Sequence, residues 1–574
     1  MFTQRQLEHI LVGSKTISTN DFNKFVTASE AKGQQLEDYL FAERVISEDN
    51  LYETAATLFQ MPFVKMKNQP IRKDVLFLIP EPLAQHYQIA AIDTEGDKIL
   101  KIITTDPENL QAFEFIKKKT GKDLAVSITT PSTFKEIMKQ YHKSLQAEFQ
   151  ELTSIDKAKQ EKNLQELAED LPIIRIVDTM LEYAIFEGAS DIHIEPEEEQ
   201  IDIRYRLDGI LKSVMTLPKN VQPGVTARVK VLSNLKLDEH RLPQDGRFKI
   251  QTKDYNIAFR VSIIPTFDGE KVVLRLLNEG AQIRTLEQIS MQPKPFSILK
   301  KNISKPHGMI LVTGPTGSGK TTTLYTILNV LNHPEVNIST IEDPIEYRMA
   351  HVNQSQVNPK IGYTFAIGLR ALLRQDPNII MVGEIRDTET AEIAVNAAMT
   401  GHLLLSTLHT NDAVTAIPRL FDMGIPPFLV ASTTNLIMAQ RLVRKICPYC
   451  ITSYNLNKAA MDELTRQFDL KSILSMLIEQ GSVTKNIKSF ETLLFYRGKG
   501  CKQCNNDGYK SRCGIYEVLD ITKEMTEAIV KKATREELLT ITRKQGMLTM
   551  LADGFLKAKA GITTIEEVLR VTQE

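Results

Sequence analysis

The chain has 574 residues, 42% of them hydrophobic and 25% charged, and its formal net charge is −1. That length calls for about three or four domains rather than a single core. The neutral balance weighs against nucleic-acid motors, which grip phosphates with a basic footprint. The sequence has neither an apolar run of bilayer length nor a charged-then-apolar leader, so a cytoplasmic protein that meets membranes through partners is expected.

Residues 1–60 read as helical and as a repeat. ILVGSKTISTNDFNKFV (10–26) aligns with YLFAERVISEDNLYETA (39–55), matching Leu11 with Leu40, Ile17 with Ile46, Ser18 with Ser47 and Phe22 with Leu51. Each serine stands where an N-cap belongs, with an acid in the turn that follows. Two helix–turn–helix units around a small core are expected; a repeated ligand-binding motif is the sharper alternative. Residues 61–142 mix short apolar strands with helical stretches, a small α/β domain. Residues 143–169 lack Gly and Pro and are rich in Glu, Gln and Lys, a charged helical linker. A second α/β domain spans 170–292: a helix ending at Gly188, then alternating strands in DIHIEP, IDIRYRLDG, FKIQT and IAFRVSIIP.

A nucleotide domain over 293–440 opens with MILVTGPTGSGKTT (309–322), an apolar strand, Gly-x4-Gly-Lys-Thr and a helix. Gly314, Gly317 and Gly319 let the backbone wrap phosphates, and the helix offers its positive end. Pro315, Thr316, Ser318 and Thr322 complete the loop. Lys320 is expected on the β/γ-phosphates of ATP and Thr321 on Mg²⁺.

Two apolar strands end in acids: ISTIEDPIEY (338–347) with Glu342, Asp343 and Glu346, and NIIMVGEIRD (378–387) with Glu384 and Asp387. Beside a P-loop such carboxylates suit the Mg²⁺ water shell and the attacking water. In TGHLLLSTLHTND (400–412), His402 and His409 bracket a further strand, and His409 could sense the γ-phosphate. Arg370, Arg374, Arg386 and Arg419 in this domain, and Arg204, Arg206, Arg260 and Arg275 before it, include arginine-finger candidates that composition does not sort. Cys447, Cys450, Cys501 and Cys504 form CxxC–x50–CxxC, which suits four-thiolate structural Zn²⁺ better than disulfides or redox pairs in a reducing compartment. They define a zinc-binding element over 441–520, followed by C-terminal helices over 521–574.

These stretches, together with GASDIHIEP (188–196), RLPQDGRF (241–248), RVSIIPTFDGEKVVLRLL (260–277), LRALLRQDP (369–377) and GYKSRCGIYEVLD (508–520), resemble the secretion ATPases of the type II secretion and type IV pilus superfamily over most of 170–574. The resemblance implies an α/β protein: a RecA-like P-loop core, a smaller PAS-like α/β domain closing over the nucleotide, a helical and α+β N-terminal region and a four-cysteine zinc element. It implies a homo-hexameric ATP hydrolase working with an inner-membrane platform protein and other pilus or secretion components; the neutral charge argues against direct nucleic-acid contact. Glu346 would activate water, and Glu384 would hold the Mg²⁺ water shell. His402 and His409 would form the His box, with Arg386 beside the nucleotide and Arg260 and Arg275 reaching the phosphates. The zinc element and long N-terminal region resemble assembly rather than retraction ATPases, and the pilus extension ATPase more than the secretion enzyme. A nucleic-acid translocase and a nucleotide-gated scaffold without turnover are the alternatives.

The N-terminal repeat resembles a tandem cyclic di-GMP motif. Its Arg and Gly positions hold Gln6-Leu7-Glu8 and Gln35-Leu36-Glu37, then Lys15 and Arg44, so the fold is expected to persist and the binding to be weak or absent.

Overall fold

The computed structural model describes residues 2, 4–31, 36–66, 69–79, 84, 87–96, 98–138, 140–141, 165, 168, 170–252, 256–278, 284–481, 483–484, 487, 489–504 and 506–573. The linker expected over 143–169 lies outside them apart from residues 165 and 168, and so does Gln35. The chain divides into two compact units, Met1–Tyr205 with Lys212–Arg247 and Val261–Leu274, and Arg206–Leu211 with Phe248–Arg260 and Arg275–Glu574.

In the first unit the repeat is real. Helices α1 (Gln4–Gly13) and α2 (Thr19–Ala31) recur at an offset of 29 as α3 (Leu36–Ala42) and α4 (Glu48–Leu58). The turns match bond for bond: Lys15 N donates to Val12 O and Arg44 N to Phe41 O, while Thr16 N reaches Leu11 O and Val45 N reaches Leu40 O. Ser18 and Ser47 each accept a backbone N–H three residues on. Lys15 (φ 61°) and Arg44 (φ 55°) hold the left-handed conformation that glycine adopts without strain. Both turns thus adopt a glycine-type conformation with a lysine and an arginine in place.

Leu11, Leu40, Phe22 and Leu51 are buried in one cluster that also takes in Ile128. Ile128 closes β3 (Asp123–Ile128), which lies parallel to β2 (Ile99–Thr104), itself antiparallel to β1 (Ile89–Glu95). The helical repeat and the small α/β piece thus share a core. Farther along, β4 (Asp191–Pro196), β5 (Gln200–Leu207), β6 (Ile210–Pro218), β7 (Gln244–Gln251), β8 (Asn256–Thr266) and β9 (Gly269–Asn278) form a sheet in the order β6-β5-β4-β9-β8-β7. Ile201, Ile203 and Tyr205 are buried in alternation, as the strand pattern requires. The Tyr205 hydroxyl donates to Met180 O, in helix α5 (Leu171–Phe186), at 2.6 Å.

The second unit is built on seven strands: β10 (Gly308–Thr313), β11 (Ile338–Glu342), β12 (Val352–Gln356), β13 (Ile379–Val382), β14 (Leu403–Leu408), β15 (Thr434–Ile446) and β18 (Tyr509–Asp520), in the order β12-β11-β13-β14-β10-β15-β18. All pairs are parallel except β15–β18. Met309 and Leu311 of β10 belong to one core cluster, Ile310 and Val312 to another. Both faces of the sheet are therefore covered, which explains the unbroken apolar run of β10. β16 (Ile451–Asn455) and β17 (Leu494–Gly498) pair as a separate ribbon. The boundary expected at residue 440 falls inside β15, and β18, expected in the zinc element, completes the core sheet. In such a sheet a ligand sits beyond the carboxyl ends of the strands. Here those are the ends of β10, β11, β13 and β14.

Candidate functional site

The loop after β10 departs from the sheet at Gly314 (φ 146°) and enters helix α6 (Lys320–Leu331) through Gly319 (φ 87°). A Cβ at Gly314 would lie 2.5 Å from Gln440 O, and one at Gly319 would lie 2.8 Å from Gln440 Nε2. Both glycines are thus required by conformation and by space. Pro315, Thr316, Gly317 and Thr322 are exposed, Thr321 is half-buried in the first turn of α6, and Ser318 is buried. Ser318 Oγ has no hydrogen-bond partner among the described residues. An unpaired buried hydroxyl in a glycine loop at a helix N-terminus fits an anionic phosphate.

Lys320 Nζ donates to Gly314 O at 2.8 Å and Pro315 O at 3.0 Å, so the ammonium is held against its own loop. Burial pushes its amine down to about 8; Glu384 opposes that shift and Arg441 adds to it.

Glu384 lies two residues beyond β13 and is buried. Thr407 Oγ1 holds the preceding Gly383 carbonyl at 2.7 Å. The carboxylate takes Arg386 Nη2 at 2.6 Å on one oxygen and His409 Nε2 at 3.1 Å on the other. His409 follows β14, whose Leu408 pairs with Thr313 at the end of β10. Thr313 Oγ1 and Thr410 Oγ1 stand 2.7 Å apart and lock this loop to the P-loop strand. Lys320, Glu384, Arg386 and His409 therefore converge.

Of the acids after β11, Glu342 is committed to the core. It is 2% exposed and accepts from Thr340 Oγ1 (2.6 Å), Gln354 Nε2 (3.1 Å) and the Tyr325 hydroxyl. Glu346 is half-buried. Burial raises its carboxyl above the ordinary value, Arg275 and Arg260 pull it back and Glu342 pushes with burial. The two arginines expected at the phosphates thus lie near enough to act on the Glu346 charge.

His402 is not brought to this group. It precedes β14, and its Nδ1 meets Ala397 O at 3.0 Å, at the end of helix α7 (Thr388–Met399). Strand rise puts His402 roughly 20 Å from His409. The two histidines bracket a parallel strand and so sit at its opposite ends.

Sequence reasoning passed over Gln440, Arg441, Thr313 and Thr410. Gln440 and Arg441 are buried on β15, and Arg441 Nη2 donates to Asn411 Oδ1 at 3.2 Å. Their signal was available: two polar residues inside the apolar run NLIMAQRLV (435–443).

The cysteines do meet. The sulfurs of Cys447, Cys450, Cys501 and Cys504 lie within 4.8 Å of one another. Burial pushes the Cys450 and Cys501 thiols up, the latter to about 11. Burial also opposes ionisation of Cys504, but the backbone N–H groups of Cys501 and Gly508, each 3.2 Å from its sulfur, bring that thiol below its ordinary value. Four crowded sulfurs with N–H donors behind one of them fit a tetrahedral metal ion. Cys513 is buried on β18, apart from this group.

Among the described residues no helix is long and apolar enough to cross a membrane. Residues 59–148 match the MshEN domain family, a match from which the expectation of weak cyclic di-GMP binding gains no support. The type IV pilus assembly ATPase PilB of Myxococcus xanthus is 37% identical over 98% of both chains. The type II secretion system ATPase E of Vibrio cholerae is 45% identical over 72% of this chain and 78% of its own. The ATPase DotB of Legionella pneumophila shares the fold at TM-score 0.50 and 22% identity, over 69% of this chain and 95% of its own. Residues 166–570 match the family described as Type II/IV secretion system protein, and with relatives of this identity and coverage the chain belongs to that family.

Proposed function

We propose that this protein hydrolyses ATP to drive type IV pilus assembly, with Glu346 activating the attacking water. Membership of the family and the ATPases among its relatives make the chain an ATP hydrolase of the pilus- and secretion-assembly motors. The observation that favours the pilus branch is the alignment with a pilus assembly ATPase along 98% of both chains, N-terminal region included. The secretion reading is favoured by the higher identity, 45%, over a shorter stretch, 72% of this chain.

In this reading the P-loop N–H groups and Lys320 hold the phosphates. Thr321, and Glu384 through water, would hold Mg²⁺, which when bound would supply charge neutralisation at the phosphates. Arg386 and His409 keep the Glu384 carboxylate oriented. Glu346, whose carboxyl burial makes more basic, takes the proton of the attacking water. Arg260 and Arg275, whose charge reaches Glu346, stabilise charge on the transferred group. His402, at the far end of β14, supports the fold. The four cysteines hold structural Zn²⁺, and the six-stranded domain acts as the PAS-like clamp. The active form is a homo-hexamer at the cytoplasmic face of the inner membrane, docked on a platform protein and without direct nucleic-acid contact.

Glu346→Gln should lower turnover by at least about a hundredfold, the usual weight of a general base, while ATP binding persists. Retained turnover would remove Glu346 from the mechanism. Failure of the wild-type gene to restore pili in a strain lacking its assembly ATPase, with secretion restored instead, would move the chain to the secretion branch.

A further inference from the structure

Gln440 is 1% exposed in the middle of β15. Its neighbour Ala439 pairs with Thr313, the last residue of β10, so Gln440 stands where the P-loop leaves the sheet. Its Nε2 donates to Ser318 O at 2.7 Å, and its Oε1 accepts from Thr323 Oγ1 at 2.8 Å. One side chain therefore ties a peptide of the phosphate loop to the first turns of α6.

A trans peptide carries its C=O and N–H on opposite sides. With the Ser318 carbonyl drawn toward β15, the Gly319 N–H faces away from that strand. Gly319 has no side chain to secure this choice, and its glycine backbone permits either orientation. A flipped peptide would aim a carbonyl oxygen, not an N–H, at an incoming phosphate.

We propose that Gln440 is a positioning residue that fixes the Ser318–Gly319 peptide so that its N–H serves the phosphates of ATP. The inference rests on reading residues 314–322 as the nucleotide loop. Gln440 touches no substrate; it acts through the loop. The close approach of Gly314 to Gln440 O and of Gly319 to Gln440 Nε2 shows the loop built against this one residue from both ends.

The test uses full-length protein, with ATP and ADP affinities by calorimetric titration and unfolding temperatures without nucleotide. Gln440→Met keeps the length and loses both bonds. Gln440→Glu keeps the acceptor for Thr323 but sets a carboxylate oxygen against Ser318 O. Thr323→Val loses only the helix side and leaves the Ser318 bond in place. Both Gln440 variants should bind ATP and ADP about tenfold more weakly, the worth of one hydrogen bond, whereas Thr323→Val stays within about twofold even if its unfolding temperature falls as far. Affinities of the Gln440 variants within about twofold of wild type would overturn the proposal. So would a loss in all three that follows their unfolding temperatures, because that marks packing alone. Absence of ATP binding by the wild-type protein would instead refute the nucleotide-loop reading.

Discussion

Arg444, four residues beyond Gln440 on β15, is the joint between three parts of the second unit. Its Nη2 meets Glu567 Oε1 at 2.7 Å, in helix α8 (Ile565–Thr572). Its Nη1 meets Asp507 Oδ2 at 3.2 Å, between Cys504 and Gly508. The guanidinium also lies 4.0 Å from the Tyr509 ring centroid. Glu567 is 2% exposed. Burial pushes its carboxyl up, yet Arg570 and Arg444 together bring it to about 2 from an ordinary 4.5, which corresponds to about 3 kcal/mol. Arg444→Met strips part of that, because Arg570 keeps its bonds at 2.9 and 3.0 Å, but it also removes the Asp507 pair and the ring contact. Breaking a buried pair from one side costs about 3–5 kcal/mol; with Arg570 retained, the lower end applies. At roughly 2 °C or more per kcal/mol for a domain of this size, the calorimetric transition of the ATPase unit should fall by about 5 °C or more. In a cycle with Glu567→Gln, the double variant should lose less than the sum of the singles, by about 1–2 kcal/mol. The depressed carboxyl supplies stability above pH 4.5 that is lost as pH falls toward 2, so the gap should narrow in acid. A fall under about 1 °C, or strict additivity, would refute the joint.

Lys320 carries its charge below about 8 in the folded protein, so ATP affinity should hold steady to about pH 7 and then fall as pH rises through 8, approaching tenfold per unit. The same lysine affects stability with the opposite sign: between about 8 and 10.5 the unfolded chain binds the proton the folded amine has lost, so its contribution to stability rises with pH. Affinity that is flat from pH 7 to 9 would remove the burial of this ammonium from the binding energetics. Metal analysis of purified protein should give about one zinc per chain, and Cys450→Ser should retain less than about a tenth of that; equal zinc in both would mean that the sulfur cluster is not the metal site.

The parallel core was readable because buried parallel strands write themselves as apolar runs, and their carboxyl ends as Gly, Glu, Asp and His. Glu384 and His409 met for that reason: each follows its strand within two residues. The same logic separates His402. A residue that opens a parallel strand and one that closes it lie at opposite edges of the sheet, however short the interval, so counting along TGHLLLSTLHTND could not bring both histidines to one phosphate. Glu342 and Glu346, four residues apart, show a limit of a different kind. Spacing admitted both as bases, and only the hydrogen bonds from Tyr325, Thr340 and Gln354, drawn from three separate stretches, retire Glu342 to the core. Gln440 is the clearest case of information that sequence order conceals. It lies about 120 residues beyond the loop it holds, on the strand that happens to pair with β10. Its polar character inside an apolar strand was visible; the identity of its partner depended on sheet order. That order also joins the two chemistries of the unit, because β15 carries Gln440 at the phosphate loop, Arg444 at the joint and, directly beyond its last residue, Cys447 at the sulfur cluster. A strand that must satisfy a glycine loop, a buried ion pair and a metal-type knuckle in succession has little freedom to slide, and this accounts for why its polar residues, rather than its apolar ones, carry the information about function.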